Sequence, residues 1–304
     1  MKLQSKKLIS SALLLLTAMI WGLSFVAQVE GTENIGSLTY TAIRFLLGAA
    51  VLTPMIFIFS IKQSDKIKIK KSFLYGIVGG GLLVVAVLLQ QFAIEFSPEG
   101  NSMKAGFISG LYTIFIPVCQ WVLFRKKTPL QVWLGAIAAV IGLYLLCGIG
   151  GGTLHFTDIL LFISVPAWAA QIIYIGNVGQ KIDLFAYSVS QYSVCGILSL
   201  VGACFFETPS LNFASIGGAL VPILYGGALS VGVAYTLQIV GQKHADPTSA
   251  AIILSTESVF GCICNLIFLT VDMSIFQYIG CTLIFAGIVL SQLVFNKKQK
   301  ATQD

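Results

Sequence analysis

The chain has 304 residues, of which 57% are hydrophobic and only 10% charged, and its mean hydropathy is +0.90. Soluble domains carry about 25% charged residues, so this composition excludes a water-soluble globular enzyme or binding module and points to a chain solvated mostly by lipid. The net charge of +6 would suit nucleic acid only if it formed a continuous basic surface, and its confinement to short loops excludes that partner.

Ten apolar runs follow one another: Leu8 to Val29, Gly36 to Ile61, Phe73 to Ala93, Met103 to Phe124, Leu130 to Gly150, Ile159 to Val178, Leu184 to Phe206, Ile216 to Val240, Thr248 to Val271 and Ile275 to Phe295. Each is near or above the ~20 residues that cross the hydrocarbon core as a helix. Lys2, Lys6 and Lys7 precede the first run as in a signal peptide, but no small-residue cleavage site follows, so a retained span is expected. Pro54, Pro117, Pro166 and Pro222 fall inside runs, where kinks are expected.

The loops test this layout, because cytoplasmic loops collect Lys and Arg. Loops assigned to the inside hold every basic residue except Arg44 and Lys104, which lie within spans. Loops assigned to the outside hold Glu30, Glu33, Glu95, Glu99, Asp158, Glu207 and Asp272. A multi-pass plasma-membrane protein with both termini cytoplasmic follows, its basic clusters meeting anionic lipid.

An internal duplication is the second signal. Trp21, Tyr40, Gly79, Gly80 and Gln91 recur as Trp168, Tyr187, Gly226, Gly227 and Gln238, each 147 residues on; Ala105, Ile108, Gly135 and Gly142 recur as Ala250, Ile253, Gly280 and Gly287 at an offset of 145. Each copy has an odd number of spans, so the second must enter the membrane from the opposite face. The expected fold class is an all-α integral membrane protein of ten transmembrane helices, built as two inverted five-helix repeats. The repeats span 8–150 and 157–295, between tails 1–7 and 296–304. Inverted repeats of this kind are characteristic of transporters.

Glu257, near the middle of the ninth run, and Arg44, in the second, are the charges that lipid disfavours most, which makes them candidates for function or for a buried helix contact. Glu257 is a candidate site for a proton or a substrate amine. Arg44 is a candidate carboxylate partner through its planar fork, unless it snorkels outward or pairs with Glu257. Gln191 is its repeat counterpart. Gln91, with Gln90 beside it, and Gln238 need partners across helices or a wet path. Trp21, Tyr112, Trp168 and Tyr235, with Tyr174 and Gln171, would give a solute cavity apolar walls and polar handles; as membrane-interface anchors, Trp and Tyr would face headgroups instead. Gly261, Cys262 and Asn265 suit close helix packing behind Glu257.

No cofactor or metal is expected, since His155 and His244 lie apart and Cys262 and Cys264 point to different sides of a helix. An intramembrane enzyme would need a base or metal ligands inside the spans, where no histidine lies. The glycine run 148–152 lacks the Lys-Ser/Thr of a phosphate loop and is read as a joint between repeats. Gly76 with Gly80 and Gly106 with Gly110 form small-xxx-small pairs; they make a homodimer an option that the sequence does not select.

Several short motifs carry a family resemblance. They are Ile20-Trp21-Gly22, Ile43-Arg44-Phe45, Trp133-Leu134-Gly135 with Gly142-Leu143, and, in the second half, Ala250 onward, Glu257, Tyr278-Ile279-Gly280 and Ala286-Gly287-Ile288. Together with ten spans and duplication they resemble the drug/metabolite transporter superfamily, specifically proteins with two EamA-type domains. The resemblance implies a central cavity lined by spans one to four and six to nine, with spans five and ten peripheral. It also implies export or exchange of small metabolites, often amino acids or related compounds. Two places depart from the family pattern: Ser258 stands where members often have proline, and Phe124-Arg125 where they often have Gly-Glu. A helix break beside Glu257 and an acidic inner gate are therefore not carried over. The expected function is transport of a small organic solute across the plasma membrane by alternating access. A non-transporting scaffold or lipid flippase is the competing reading.

Overall fold

The structure is a computed structural model that describes residues 2–97, 102–125, 128–147, 155–207, 213–268 and 274–300. Among these every regular element is helical. The first three runs form α1 (Lys2–Asn34), α2 (Ser37–Met55), α3 (Ile61–Gln63) and α4 (Lys66–Glu95). The fourth divides into α5 (Ser102–Gly110) and α6 (Tyr112–Val122), and the fifth is α7 (Leu130–Cys147). The later runs give α8 (Phe156–Val178), α9 (Leu184–Phe206), α10 (Phe213–Gly218), α11 (Leu220–Leu224) and α12 (Thr236–Gln242). The ninth divides into α13 (Pro247–Leu254) and α14 (Glu257–Phe268), and α15 (Ile275–Lys300) follows. The glycine run 148–152 and the side chains of Lys104, Cys262, Cys264 and Asn265 lie outside the described residues.

Among the described residues six stretches are long and apolar enough to cross a membrane: Lys6–Glu33, Ser37–Ser60, Lys66–Glu95, Phe156–Val178, Leu184–Phe206 and Leu220–Gln242. Ile108–Val122, Leu130–Leu145 and Ile275–Ser291 are shorter apolar helices. Phe57, Phe205, Phe206 and Val221 are exposed, whereas Gln28, Gln91, Gln171 and Gln238 are buried. That inside-out distribution suits a bundle whose outer solvent is hydrocarbon. Pro54 and Pro222 are each followed by a π-helical segment, Ile56–Ser60 and Tyr225–Tyr235, whereas Pro117 and Pro166 stay within continuous α-helix.

The fourth and ninth runs are not single helices, which corrects the reading above. At Leu111 the N–H bonds Ile108 O rather than the carbonyl four back, and at Thr256 the N–H bonds Ile253 O in the same way. These two breaks lie 145 residues apart, at the offset that relates the two copies of this segment. In the second, the Ser255 and Thr256 hydroxyls donate to Ile252 O and Ile253 O, at 2.8 and 2.6 Å. Both hydroxyls turn back onto carbonyls of the preceding turn, and the Ser258 hydroxyl donates to Gly106 O at 3.0 Å.

α2 packs along α9 and the 225–235 segment, α4 along α9 and α8, α1 along α12, α13 and α14, and α5 and α6 along α8. α7 and α15 form the most extensive pair. A Cβ on Gly135 would lie 2.6 Å from Gly287 O, and one on Gly142 2.6 Å from Gly280 O, so these helices cross backbone to backbone in opposite directions. Gly76 and Gly80 face α9, and Gly106 and Gly110 face Ser258 and Leu143. Both small-xxx-small pairs are therefore filled within the chain and are not free faces for a second copy.

Two joints tie the second run, from Ser37 to Ser64, to α9. At the end where Lys68 and Lys243 gather, the Asp183 carboxylate accepts hydrogen bonds from Ser60 Oγ (2.6 Å), Ser64 Oγ (2.7 Å) and the Ala186 N–H (3.0 Å), capping α9. At the other end Glu207, just after α9, accepts the N–H groups of Leu38 and Thr39 at 3.0 and 2.8 Å and the Thr39 hydroxyl at 2.9 Å. Glu95 accepts the Ser37 N–H at 3.0 Å beside it. Gly36 has no side chain there because the Glu207 carboxyl occupies that space.

Candidate functional site

Along α1, Trp21, Ser24, Phe25 and Gln28 fall at i, i+3, i+4 and i+7, one face of a helix, and together they wall a central cavity. Arg44 comes from α2, Val87 and Gln90 from α4, Ser109 from α5, Tyr112 from α6, and Trp168 and Ile172 from α8. Ser230, Tyr235 and Gln238 come from the eighth run and Glu257 from α14. The space between these walls, counted together with its opening, is about 530 Å³.

Arg44 is 4% exposed. Its Nη2 donates to Gln91 Oε1 over a long 3.4 Å, and its guanidinium carbon lies 5.0 Å from the Tyr40 ring centre and 5.3 Å from that of Phe45. Its Nε has no partner. Among the described residues the groups that engage the guanidinium, Gln91, Tyr40 and Phe45, are neutral. Gln91 in turn donates to Gln28 O at 3.4 Å, so it stands behind Arg44 rather than on the cavity wall.

Tyr112 and Glu257 are the first residues of α6 and α14, immediately after the two breaks, and the Tyr112 hydroxyl faces the Glu257 carboxyl in the cavity. Gly22 lets α1 approach α14 closely at this point, since a Cβ there would lie 2.7 Å from Glu257 O. Arg44 and Glu257 therefore share a cavity but have different partners: Gln91 and Tyr40 for one, Tyr112 for the other.

The aromatic wall is continuous. Trp21 and Tyr235 have ring centres 4.6 Å apart, and Tyr235 leans on Phe45 and Tyr192 at 5.8 and 6.1 Å. Trp21 Nε1 donates to Ser230 O at 3.4 Å and Trp168 Nε1 to Gln90 Oε1 at 2.9 Å. Gln171 and Gln238 exchange amide hydrogen bonds at 3.4 and 3.2 Å, tying α8 to α12.

Seven of the ten residues expected from sequence line this cavity: Trp21, Arg44, Tyr112, Trp168, Tyr235, Gln238 and Glu257. Gln91 and Gln171 support lining residues from behind. Gln191 is elsewhere: fully buried on α9, it accepts the Tyr187 hydroxyl at 2.7 Å. α9 supplies no lining residue, so the wall is drawn from one run fewer than the resemblance implied. Tyr174 donates to Tyr75 O at 3.1 Å and does not line the cavity. Ser24, Phe25, Gln28, Val87, Ser109, Ile172 and Ser230 line it as well; helical spacing from Trp21 is the signal that finds the first three, and apolar or single-hydroxyl residues in an apolar run give none for the rest. Among the described residues no group of three His, Cys, Asp or Glu is placed to hold a metal.

The EamA-like transporter family matches residues 8–148 and again 155–293. The chain belongs to the EamA-like transporter family. This family member is 24% identical over 288 residues to an uncharacterized transporter of Archaeoglobus fulgidus, covering 95% of this chain and 87% of the relative. It is 21% identical to the uncharacterized transporter YoaV of Bacillus subtilis, over 92% of this chain and 96% of that protein. A crystal structure of 18% sequence identity superposes with a TM-score of 0.76, over 97% of this chain and 98% of the other, and carries the fold alone. The EamA-like chain is thus a multi-pass membrane transporter.

Proposed function

We propose that this transporter moves a small organic metabolite, an amino acid or related compound, across the plasma membrane by alternating access, as efflux or exchange. In this reading ten spans form two inverted five-helix units, 8–150 and 157–295, with both termini cytoplasmic. The observation that carries it is the cavity, which holds one buried cation and one buried carboxyl within apolar helices. Inversion is supported by equivalent helices running oppositely: Gly135 meets Gly287 and Gly142 meets Gly280, while Gly196 and Gly202 of α9 meet Leu46 and Leu38 of α2. Arg44 receives a carboxylate and Glu257 exchanges a proton or meets an amine; Trp21, Trp168 and Tyr235 clasp the apolar part.

Purified protein in proteoliposomes should give saturable counterflow of an amino acid or of a related carboxylate metabolite, with Glu257→Gln changing its response to a proton gradient. Equal flux in wild type and Glu257→Gln would remove Glu257 from coupling. Thiol labelling of Trp21→Cys and Trp168→Cys that finds no solute-protectable cavity would hand the chain to the scaffold or flippase reading.

A further inference from the structure

The two charges in the cavity differ in what the protein already gives them. Glu257 faces the Tyr112 hydroxyl, and at the adjacent break Ile252 O and Ile253 O already accept the Ser255 and Thr256 hydroxyls. Among the described residues Arg44 has no anionic hydrogen-bond partner and its Nε is unbonded, while 96% of its surface is buried. A guanidinium stays charged at every relevant pH, and a buried charge without a counter-ion is costly in lipid. With Glu257 ionised the cavity is formally neutral. A monoanion on Arg44 would then make it negative, and the low dielectric penalises that strongly. One proton on Glu257 restores neutrality.

We infer that the solute is an aryl-alkanoate, a monocarboxylate with an aromatic tail, and that the cavity takes it together with one proton from solvent onto Glu257. The carboxylate sits on Arg44 and the ring packs among Trp21, Phe25, Trp168 and Tyr235. This deepens the transporter reading and rests on it. The titratable and charged groups facing Glu257 are Tyr112 from α6, Tyr235 from the 225–235 segment and, across the cavity, Arg44 from α2. From α1 and α5 come Phe25, Gly22, Gly106 and Ser109, none titratable, and Tyr144 of α7 is 49% exposed on the outer surface.

The test uses the full chain in nanodiscs with three probes: 3-phenylpropionate, L-phenylalanine and 2-phenylethylamine. Calorimetry in buffers of different ionisation enthalpy counts protons. Phenylpropionate should bind with uptake of about one proton and more tightly as pH falls, and the zwitterion and amine should bind roughly 30-fold more weakly or worse. Glu257→Gln should still bind phenylpropionate, without proton uptake or pH dependence, and Arg44→Gln should lose roughly 30-fold or more in affinity. The inference is overturned if phenylalanine binds better than phenylpropionate, if proton uptake survives in Glu257→Gln, or if no probe binds wild type. The first of these leaves the transporter reading standing, because saturable amino-acid counterflow is measured separately.

Discussion

Asp183 is the residue whose removal has the most calculable cost. It is 8% exposed, and Asp183→Ala leaves Ser60 Oγ, Ser64 Oγ and the Ala186 N–H without their acceptor. Hydrogen bonds to a charged group contribute about 1.5–3 kcal/mol each, but they share one carboxylate and the serines can turn toward water. An N-cap alone contributes about 1 kcal/mol, so the expected loss is about 3 kcal/mol. Asp183→Asn keeps one acceptor oxygen and should lose about half as much. Burial pushes the Asp183 pKa up, but the hydrogen bonds from Ser60, Ala186 and Ser64 and the charge of Lys68 outweigh it and hold the group below the ordinary 3.8. A depressed carboxylate stabilises the fold above its unfolded pKa, and that contribution is lost as pH falls through the folded one. The gap between wild type and Asp183→Asn should therefore be full at pH 7 and shrink below about pH 4. Reversible SDS unfolding of the purified protein, followed by tryptophan fluorescence, reads both quantities. A loss under ~0.5 kcal/mol in Asp183→Ala, within surface-substitution noise, or a gap that stays constant on acidification, would refute the reasoning.

Three further substitutions probe other joints. Glu207→Ala uncaps α2, but Glu207 is only half-buried and water can replace it, so the loss should be nearer 1 kcal/mol in the same unfolding assay. Gly135→Val should force α7 from α15, because its Cβ would meet Gly287 O at 2.6 Å. It should cost about 1–3 kcal/mol yet leave the affinity of any cavity solute unchanged, since neither helix lines the cavity. Trp168→Phe removes the 2.9 Å bond to Gln90 and strands a buried acceptor, for about 1–3 kcal/mol; the effect should vanish in a Gln90→Leu background.

The membrane class and the apolar runs were legible because lipid selects composition directly, and the offset of 147 was legible because Trp21/Trp168 and Gln91/Gln238 are uncommon residues in apolar runs. The helix breaks were not. Serine and threonine hydroxyls turned back onto Ile252 O and Ile253 O look like ordinary span residues in a sequence, and at Leu111 no residue type marks the change. Gln191 shows a different limit. The duplication equates its position with Arg44, but Tyr187 binds its amide and it lies away from the cavity. Repeat equivalence fixes where the backbone goes; the neighbouring side chains decide what faces the solute.

That distinction explains where the charges lie. Arg44 corresponds to Gln191 and Glu257 to Tyr112; at the joints between the second run and α9 Asp183 corresponds to Gly36 and Glu207 to Ser60. Each pair keeps one charged and one neutral member. At the joints the same backbone donor is capped in both copies, Ala186 N–H by the carboxylate of its own helix and Thr39 N–H by one reaching across from α9. Putting carboxylates at both positions of a pair would set two anions against one N-terminus, where like charges repel. In the cavity the same economy leaves one cation and one acid rather than two of each. A duplicated scaffold supplies symmetric walls, and a ligand with distinct ends needs an asymmetric pair of handles within them. Single substitutions at repeat-equivalent positions provide that asymmetry without disturbing the helix contacts that the glycines hold.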